Sequence, residues 1–146
     1  MLIGEYRHNI DDKGRLIIPS KFRDELGDTF FITRGLDKCL FVYATDKWLR
    51  FVEDLDNLNI ASKDARAYTR ILTSGAAKCE FDRQGRVNIT SPLVSYADLT
   101  KECVIIGVND RLEIWSKARW DEFLSLNEDN FENIAENLFT GKNETL

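Results

Sequence analysis

Polar and apolar residues alternate over residues 4–10, with Tyr6, His8 and Ile10 on one side, and this period of two predicts a strand. Asp11-Asp12-Lys13-Gly14 reads as a turn and residues 15–18 as the return strand, so a hairpin is expected. Pro19 ends the ladder, and residues 19–26 suit a short helix with Phe22 and Leu26 inward and Ser20, Lys21, Arg23 and Asp24 outward. Residues 29–33 and 39–43 predict a second hairpin around Gly35-Leu36-Asp37-Lys38. Trp48, Val52 and Leu55 then recur at helical spacing, widened by Leu49 and Phe51, in a helix that Thr45 caps and that runs to about residue 56. Ser62 is the expected cap of a further helix to residue 73, with an apolar stripe of Ala61, Ala65, Tyr68 and Leu72 and a basic stripe of Lys63, Arg66 and Arg70.

The pattern then starts again. A strand over residues 75–81, a turn, a strand over 86–89 and a short helix after Ser91-Pro92 repeat the first half. Residues 102–108 and 111–115 predict a hairpin over Asn109-Asp110, and Ser116 is the expected cap of a closing helix to about residue 126. Gly4 and Gly75, Arg7 and Lys78, Ile10 and Phe81, Ile18 and Ile89, and Ser20 and Ser91 match at an offset of 71. One inserted residue later Leu40, Val42, Tyr43, Trp48 and Phe51 match Leu112, Ile114, Trp115, Trp120 and Phe123 at an offset of 72. The repeats span residues 4–54 and 75–126, and an acidic tail follows over 127–146, where Phe131, Ile134 and Leu138 allow one last amphipathic turn or two and residues 141–146 read as frayed.

One repeat alone, about 50 residues, buries too little surface to be comfortably stable, so two halves sharing one core in a single intertwined domain, residues 1–146, is the expectation. No segment reaches the roughly 18 apolar residues of a membrane span, and the first four residues are too short and uncharged for a signal peptide, which points to the cytoplasm. Cys39, Cys79 and Cys103 lack a Cys-x-x-Cys spacing and read as buried, reduced thiols. His8 is the only histidine, so no metal or cofactor is expected. Paired histidines, a phosphate-cradling glycine loop and Gly-x-Ser-x-Gly are all missing, so the chain does not read as an enzyme.

Net charge is −5, which at face value argues against a polyanionic partner. Seven of the 25 acids but one of the 20 bases lie from Asp121 onward, leaving 19 bases and 18 acids before it. Patches separated by more than a Debye length of about 8 Å hardly feel one another, so a local basic surface can still act on nucleic acid.

The sharpest repeat is the turn itself, Asp11-Asp12-Lys13-Gly14-Arg15 and Asp82-Arg83-Gln84-Gly85-Arg86, each followed by an aliphatic residue. A turn needs only its glycine for the positive φ, so the retained Asp and Arg call for a reason. They make either a surface ion pair, worth about 0–1 kcal/mol, or a braced guanidinium presented to a guanine edge or a phosphate. Arg7, Lys13, Lys21, Arg23, Lys78 and Arg83 lie near in sequence and are candidates for phosphate contacts or simply solvated charges. Trp48, Trp120, Tyr43 and Trp115 read as core.

With these turns in tandem, residues 1 to about 140 resemble the bacterial MraZ family, from Met1-Leu2-Ile3-Gly4 through Asp11-x-Lys13-Gly14-Arg15 and Ile18-Pro19 to Asp82-x-x-Gly85-Arg86. The resemblance implies an α+β fold in which the tandem repeat forms an intrachain swapped-hairpin (AbrB-like) β-barrel with flanking helices. It also implies a ring-shaped homo-oligomer and a nucleoid-associated transcriptional regulator, acting on double-stranded DNA at tandem G-rich boxes in the promoter of the division and cell-wall gene cluster. By that motif Asp11, Lys13, Arg15, Asp82 and Arg86 carry over as DNA-site residues, with Arg83 beside them, while Gln84 stands where the first turn has Lys13. The alternative is an antitoxin-like protein-interaction module of the same superfamily, whose acidic tail binds a basic partner.

Overall fold

The computed structural model describes residues 1–140, so the expected fraying of 141–146 lies outside the described residues. The chain divides into two compact units, one ending at Ser116 and the other starting at Lys117. The first contains β1 (Leu2–Asn9), β2 (Arg15–Ile17), α1 (Ser20–Leu26), β3 (Phe30–Arg34), β4 (Leu40–Ala44), α2 (Thr45–Asp56) and α3 (Lys63–Ser74). The series continues with β5 (Ala77–Cys79), β6 (Arg86–Asn88), α4 (Ser91–Tyr96), β7 (Glu102–Asn109) and β8 (Arg111–Ser116). The second unit holds α5 (Lys117–Asn127), a 3-10 turn (Glu128–Asn130) and α6 (Phe131–Phe139). Within it Trp120 stacks on Phe123, and α6 sets Phe131, Ile134 and Leu138 among the acids Glu132 and Glu136. The described residues contain no helix long and apolar enough to cross a membrane.

The fold is α+β, with antiparallel ladders in a six-stranded sheet of order β1-β7-β8-β4-β3-β5 and a separate two-stranded ribbon β2-β6. Exchanging each strand for its repeat equivalent reverses the sheet order onto itself, so a local two-fold relates the copies. Only β3-β4 and β7-β8 pair within a copy; β1 pairs β7, β5 pairs β3, β4 pairs β8 and β2 pairs β6 across copies.

That arrangement corrects the first expected hairpin. The turn does reverse the chain, through Asp11 N–H to the Arg15 carbonyl at 3.0 Å and Gly14 N–H to the Asp11 carbonyl at 3.1 Å. Beyond those bonds its arms part, because β1 and β2 find their ladders in the other repeat. The second turn behaves identically.

Apolar alternation explains the core. Leu16, Ile18, Phe22, Leu40 and Val42 and their repeat equivalents Val87, Ile89, Leu93, Leu112 and Ile114 are all buried in one cluster. Trp48, Tyr43 and Trp115 are buried as expected, and Trp120 is half-buried. Cys39, Cys79 and Cys103 are free and buried. Burial pushes the Cys79 and Cys103 thiols up to about 11 and Cys39 higher still.

Other boundaries move for identifiable reasons. β5 has three residues where β1 has eight, because α3 runs to Ser74 and leaves no extended chain before Ala77. Ala44, not Thr45, is the N-cap of α2; the Thr45 hydroxyl instead donates to the Thr29 carbonyl at 2.8 Å. Leu49 is exposed and does not widen the buried stripe of α2. Ser62 does cap α3, accepting from Ala65 N–H at 3.2 Å. The expected α3 stripe is buried only at Leu72, and Tyr68 is 37% exposed. The helix docks by its last turn, where Thr33 Oγ1 donates to the Leu72 carbonyl at 2.7 Å and Arg34 Nη1 to that of Ile71 at 2.6 Å.

Candidate nucleic-acid interface

Each turn is built around a carboxylate. Asp11 Oδ1 accepts from the backbone N–H of Lys13 at 3.0 Å and of Arg15 at 2.8 Å, and its Oδ2 accepts from Arg15 Nε at 2.6 Å. Asp82 repeats this with Gln84 N–H at 2.9 Å, Arg86 N–H at 2.9 Å and Arg86 Nε at 2.7 Å. The aspartate thus closes its own turn and fixes the arginine that follows. Both carboxyls are held below their ordinary 3.8, chiefly by the backbone N–H of Arg15 or Arg86, which together with its guanidinium outweighs the opposing effect of burial.

The glycines complete the turns. Gly14 has φ +81° and Gly85 φ +74°, a region in which L-residues are strained. A Cβ at Gly14 would lie 2.6 Å from the Ile89 carbonyl oxygen. Two reciprocal bonds tie the turns to the opposite copy: Ile18 N–H donates to the Gly85 carbonyl at 3.1 Å and Ile89 N–H to that of Gly14 at 2.7 Å.

The ribbon β2-β6 then puts the arginines on one face. Arg15 lies opposite Asn88, Leu16 opposite Val87 and Ile17 opposite Arg86. Directly opposed residues share a face, and i and i+2 do also, so Arg15, Ile17, Arg86 and Asn88 form one side and Leu16 and Val87 the other. Burial agrees: Leu16 and Val87 are buried, Ile17 is 40% exposed, and the Arg15 and Arg86 side chains are 34% and 25% exposed. The strand and ladder spacings set the two arginine Cα atoms about 8 Å apart on the diagonal. Only Nε of each guanidinium is engaged in a hydrogen bond among the described residues, which leaves the terminal N–H groups as further donors.

Of the expected site residues, Arg15 and Arg86 are therefore brought to one face, while the antiparallel register sets their turns at opposite ends of the ribbon, Asp11 and the exposed Lys13 at one and Asp82 and the exposed Arg83 at the other. Arg7, on β1, lines a surface cleft with His8, Asn9, Ile17 and Glu102, next to the ribbon. Lys21 is exposed on α1, its Nζ 5.9 Å from the Tyr6 ring centre. Lys78 lies on β5 at the edge of the six-stranded sheet, opposite Phe31. Arg23 is not turned outward as expected: its Nη1 donates to the Ile18 carbonyl at 2.7 Å and its guanidinium covers Gly85. Ile17 and Asn88 were not singled out by the sequence. The period of two around the repeated arginines was the signal that marks them.

Fold and site together define an α+β protein of two interleaved copies that carries a pair of aspartate-clamped arginines on one exposed ribbon face. A family model described as "MraZ protein, putative antitoxin-like" matches residues 1–71 and, a second time, residues 72–142. The chain belongs to the MraZ family.

Proposed function

We propose that this protein is a sequence-specific regulator that binds double-stranded DNA at tandem G-rich boxes upstream of its own gene, in a division and cell-wall gene cluster. It works without enzymatic activity or cofactor, within the cytoplasm and on the nucleoid. The observation that carries the reading is the duplicated clamp. Aspartate takes Nε and leaves the planar fork of each arginine free to meet O6 and N7 of guanine. One such contact discriminates by about 1–3 kcal/mol, too little to select a site alone. Two clamps per chain, multiplied in a ring-shaped homo-oligomer, raise the total through effective concentration. The crossed bonds between Ile18 and Gly85 and between Ile89 and Gly14 support closure of the ribbon and sheet into a swapped-hairpin barrel.

The test is a mobility-shift titration with DNA from upstream of the gene, at two salt concentrations, against the same DNA with scrambled G-boxes. Arg15→Ala and Arg86→Ala are expected to weaken box binding severalfold or more with the melting temperature nearly unchanged. Equal box binding by the double variant, or a steep salt slope without box preference, overturns the proposal. A ring should present its ribbons at regular intervals, so a footprint of direct repeats is expected, and inverted half-sites would contradict it. The second reading, an antitoxin-like module that captures a basic protein, is favoured by the family description and by the acids of α6. It predicts that removing residues 128–146 abolishes partner capture and leaves DNA binding intact.

A further inference from the structure

The two clamped turns share a backbone and differ in what stands behind them. Each hangs on an isoleucine of the opposite copy, Gly85 on Ile18 and Gly14 on Ile89. Behind the second turn that strut is itself held, because Arg23 donates from Nη1 to the Ile18 carbonyl at 2.7 Å and lays its guanidinium against Gly85. Behind the first turn the corresponding carbonyl, that of Ile89, accepts from no side chain among the described residues. The sequence gives the reason: Val94 occupies the position 71 residues after Arg23. The tips differ too, with Arg83 where the first turn has Asp12. Asp24 and Asp28 line the cleft around Arg23, so its role is to stiffen rather than to attract anions generally. The Arg86 side chain is also the less exposed of the pair, 25% against 34% for Arg15.

We propose that Arg23 is a positioning residue for the second turn, and that the two turns are unequal readers: the second a stiff anchor, the first an adaptable partner. The inference rests on the DNA-binding reading and deepens it. A donor already fixed in its bound geometry loses less freedom on binding, so Arg86 supplies the larger share of box preference.

The experiment compares Arg23→Val, which copies Val94 of the second repeat, and Arg23→Lys, alone and combined with Arg15→Ala or Arg86→Ala. Each is titrated with box and scrambled DNA, its melting temperature is measured, and amide exchange is followed at Ile18 and Ile89. In the wild-type background Arg86→Ala is expected to lose about threefold more box preference than Arg15→Ala. Arg23→Val should cost about threefold to tenfold, additively with Arg15→Ala but with little further loss on Arg86→Ala. Exchange at the Ile18 amide should quicken by about tenfold while that of Ile89 holds, and Arg23→Lys should restore part of both effects. Equal losses in the two arginine backgrounds, or equal losses on box and scrambled DNA, overturn the inference, as does unchanged Ile18 exchange. Wild-type protein with no box preference overturns the parent reading and this one with it; with that preference present, only the role of Arg23 is at stake.

Discussion

Alanine at the turn glycines separates a collision with backbone from a collision with a side chain. At Gly14 and Gly85 the positive φ alone costs an L-residue about 1–2 kcal/mol. At Gly14 the new methyl also meets the Ile89 carbonyl oxygen at 2.6 Å, and backbone tied to the turn through the Ile89 N–H cannot swing aside freely. Relief requires the turn to lift from Ile89, losing the Ile89 to Gly14 hydrogen bond, worth about 1 kcal/mol. Gly14→Ala should therefore cost about 2–3 kcal/mol, or about 4–12 °C in melting temperature for a chain of this size. At Gly85 the methyl meets the Arg23 guanidinium, which can leave at the loss of its bond to Ile18. Gly85→Ala should cost a similar amount, about 2–3 kcal/mol, in the wild-type background and only about 1–2 kcal/mol when Arg23 is already valine. The cost of Gly14→Ala should be the same in both backgrounds. Urea unfolding followed by tryptophan fluorescence supplies the numbers. If Gly85→Ala costs the same with and without Arg23, or Gly14→Ala costs less than about 1 kcal/mol, the packing argument is wrong.

Two further outcomes follow from the same geometry. Asp11 and Asp82 are held below their ordinary 3.8 in the folded protein, so the stability they contribute is complete above that value and is lost as pH falls through their lower folded values; carboxyl NMR titration should place both midpoints under 3.8, and a midpoint at or above it refutes the clamp. With Cys79 and Cys103 raised to about 11 and Cys39 raised further, a thiol reagent at pH 8 should leave native protein unlabelled and modify all three cysteines in denaturant; rapid native labelling would refute their burial.

Local signals were legible in the sequence, and long-range pairing was not. The hairpins β3-β4 and β7-β8, the two short helices, the first with Phe22 and Leu26 inward, and the Ser62 cap all follow from periodicity and turn chemistry close by. Strand partners of the turn arms are set by burying Leu16 against Val87, a contact between residues 71 apart that no local pattern states. The repeat predicted that two halves share a core without saying which strand meets which. Misread caps and stripes share one cause: Thr45, Tyr68 and Arg23 are governed by what lies across from them in space, respectively Thr29, open solvent and Gly85. At the site, residue identity and spacing exposed Asp11, Arg15, Asp82 and Arg86, whereas their common face emerged only from the ribbon register.

The same register sets what a single repeat can do. Every strand of the first copy except those in the β3-β4 hairpin completes its ladder with the second copy, and even that hairpin borders β5 and β8. A fragment of residues 1–74 would therefore leave Leu16, Phe30 and Ile32 without their covering strands, an exposure that about 75 residues cannot offset by other burial. A second fragment can supply what is missing, because the local two-fold makes β1 equivalent to β5 and β2 equivalent to β6: β1 of one fragment would take the place of β5 beside β3 of the other, and β2 would pair with its own copy. The expected product is a homodimer whose melting temperature rises with concentration and whose far-UV signal collapses on dilution. Analytical ultracentrifugation alongside melting curves tests it. A fragment that stays folded as a monomer at low concentration would mean that each repeat closes its own core, and the interleaving of the two copies would lose its role in holding the paired arginines on one face.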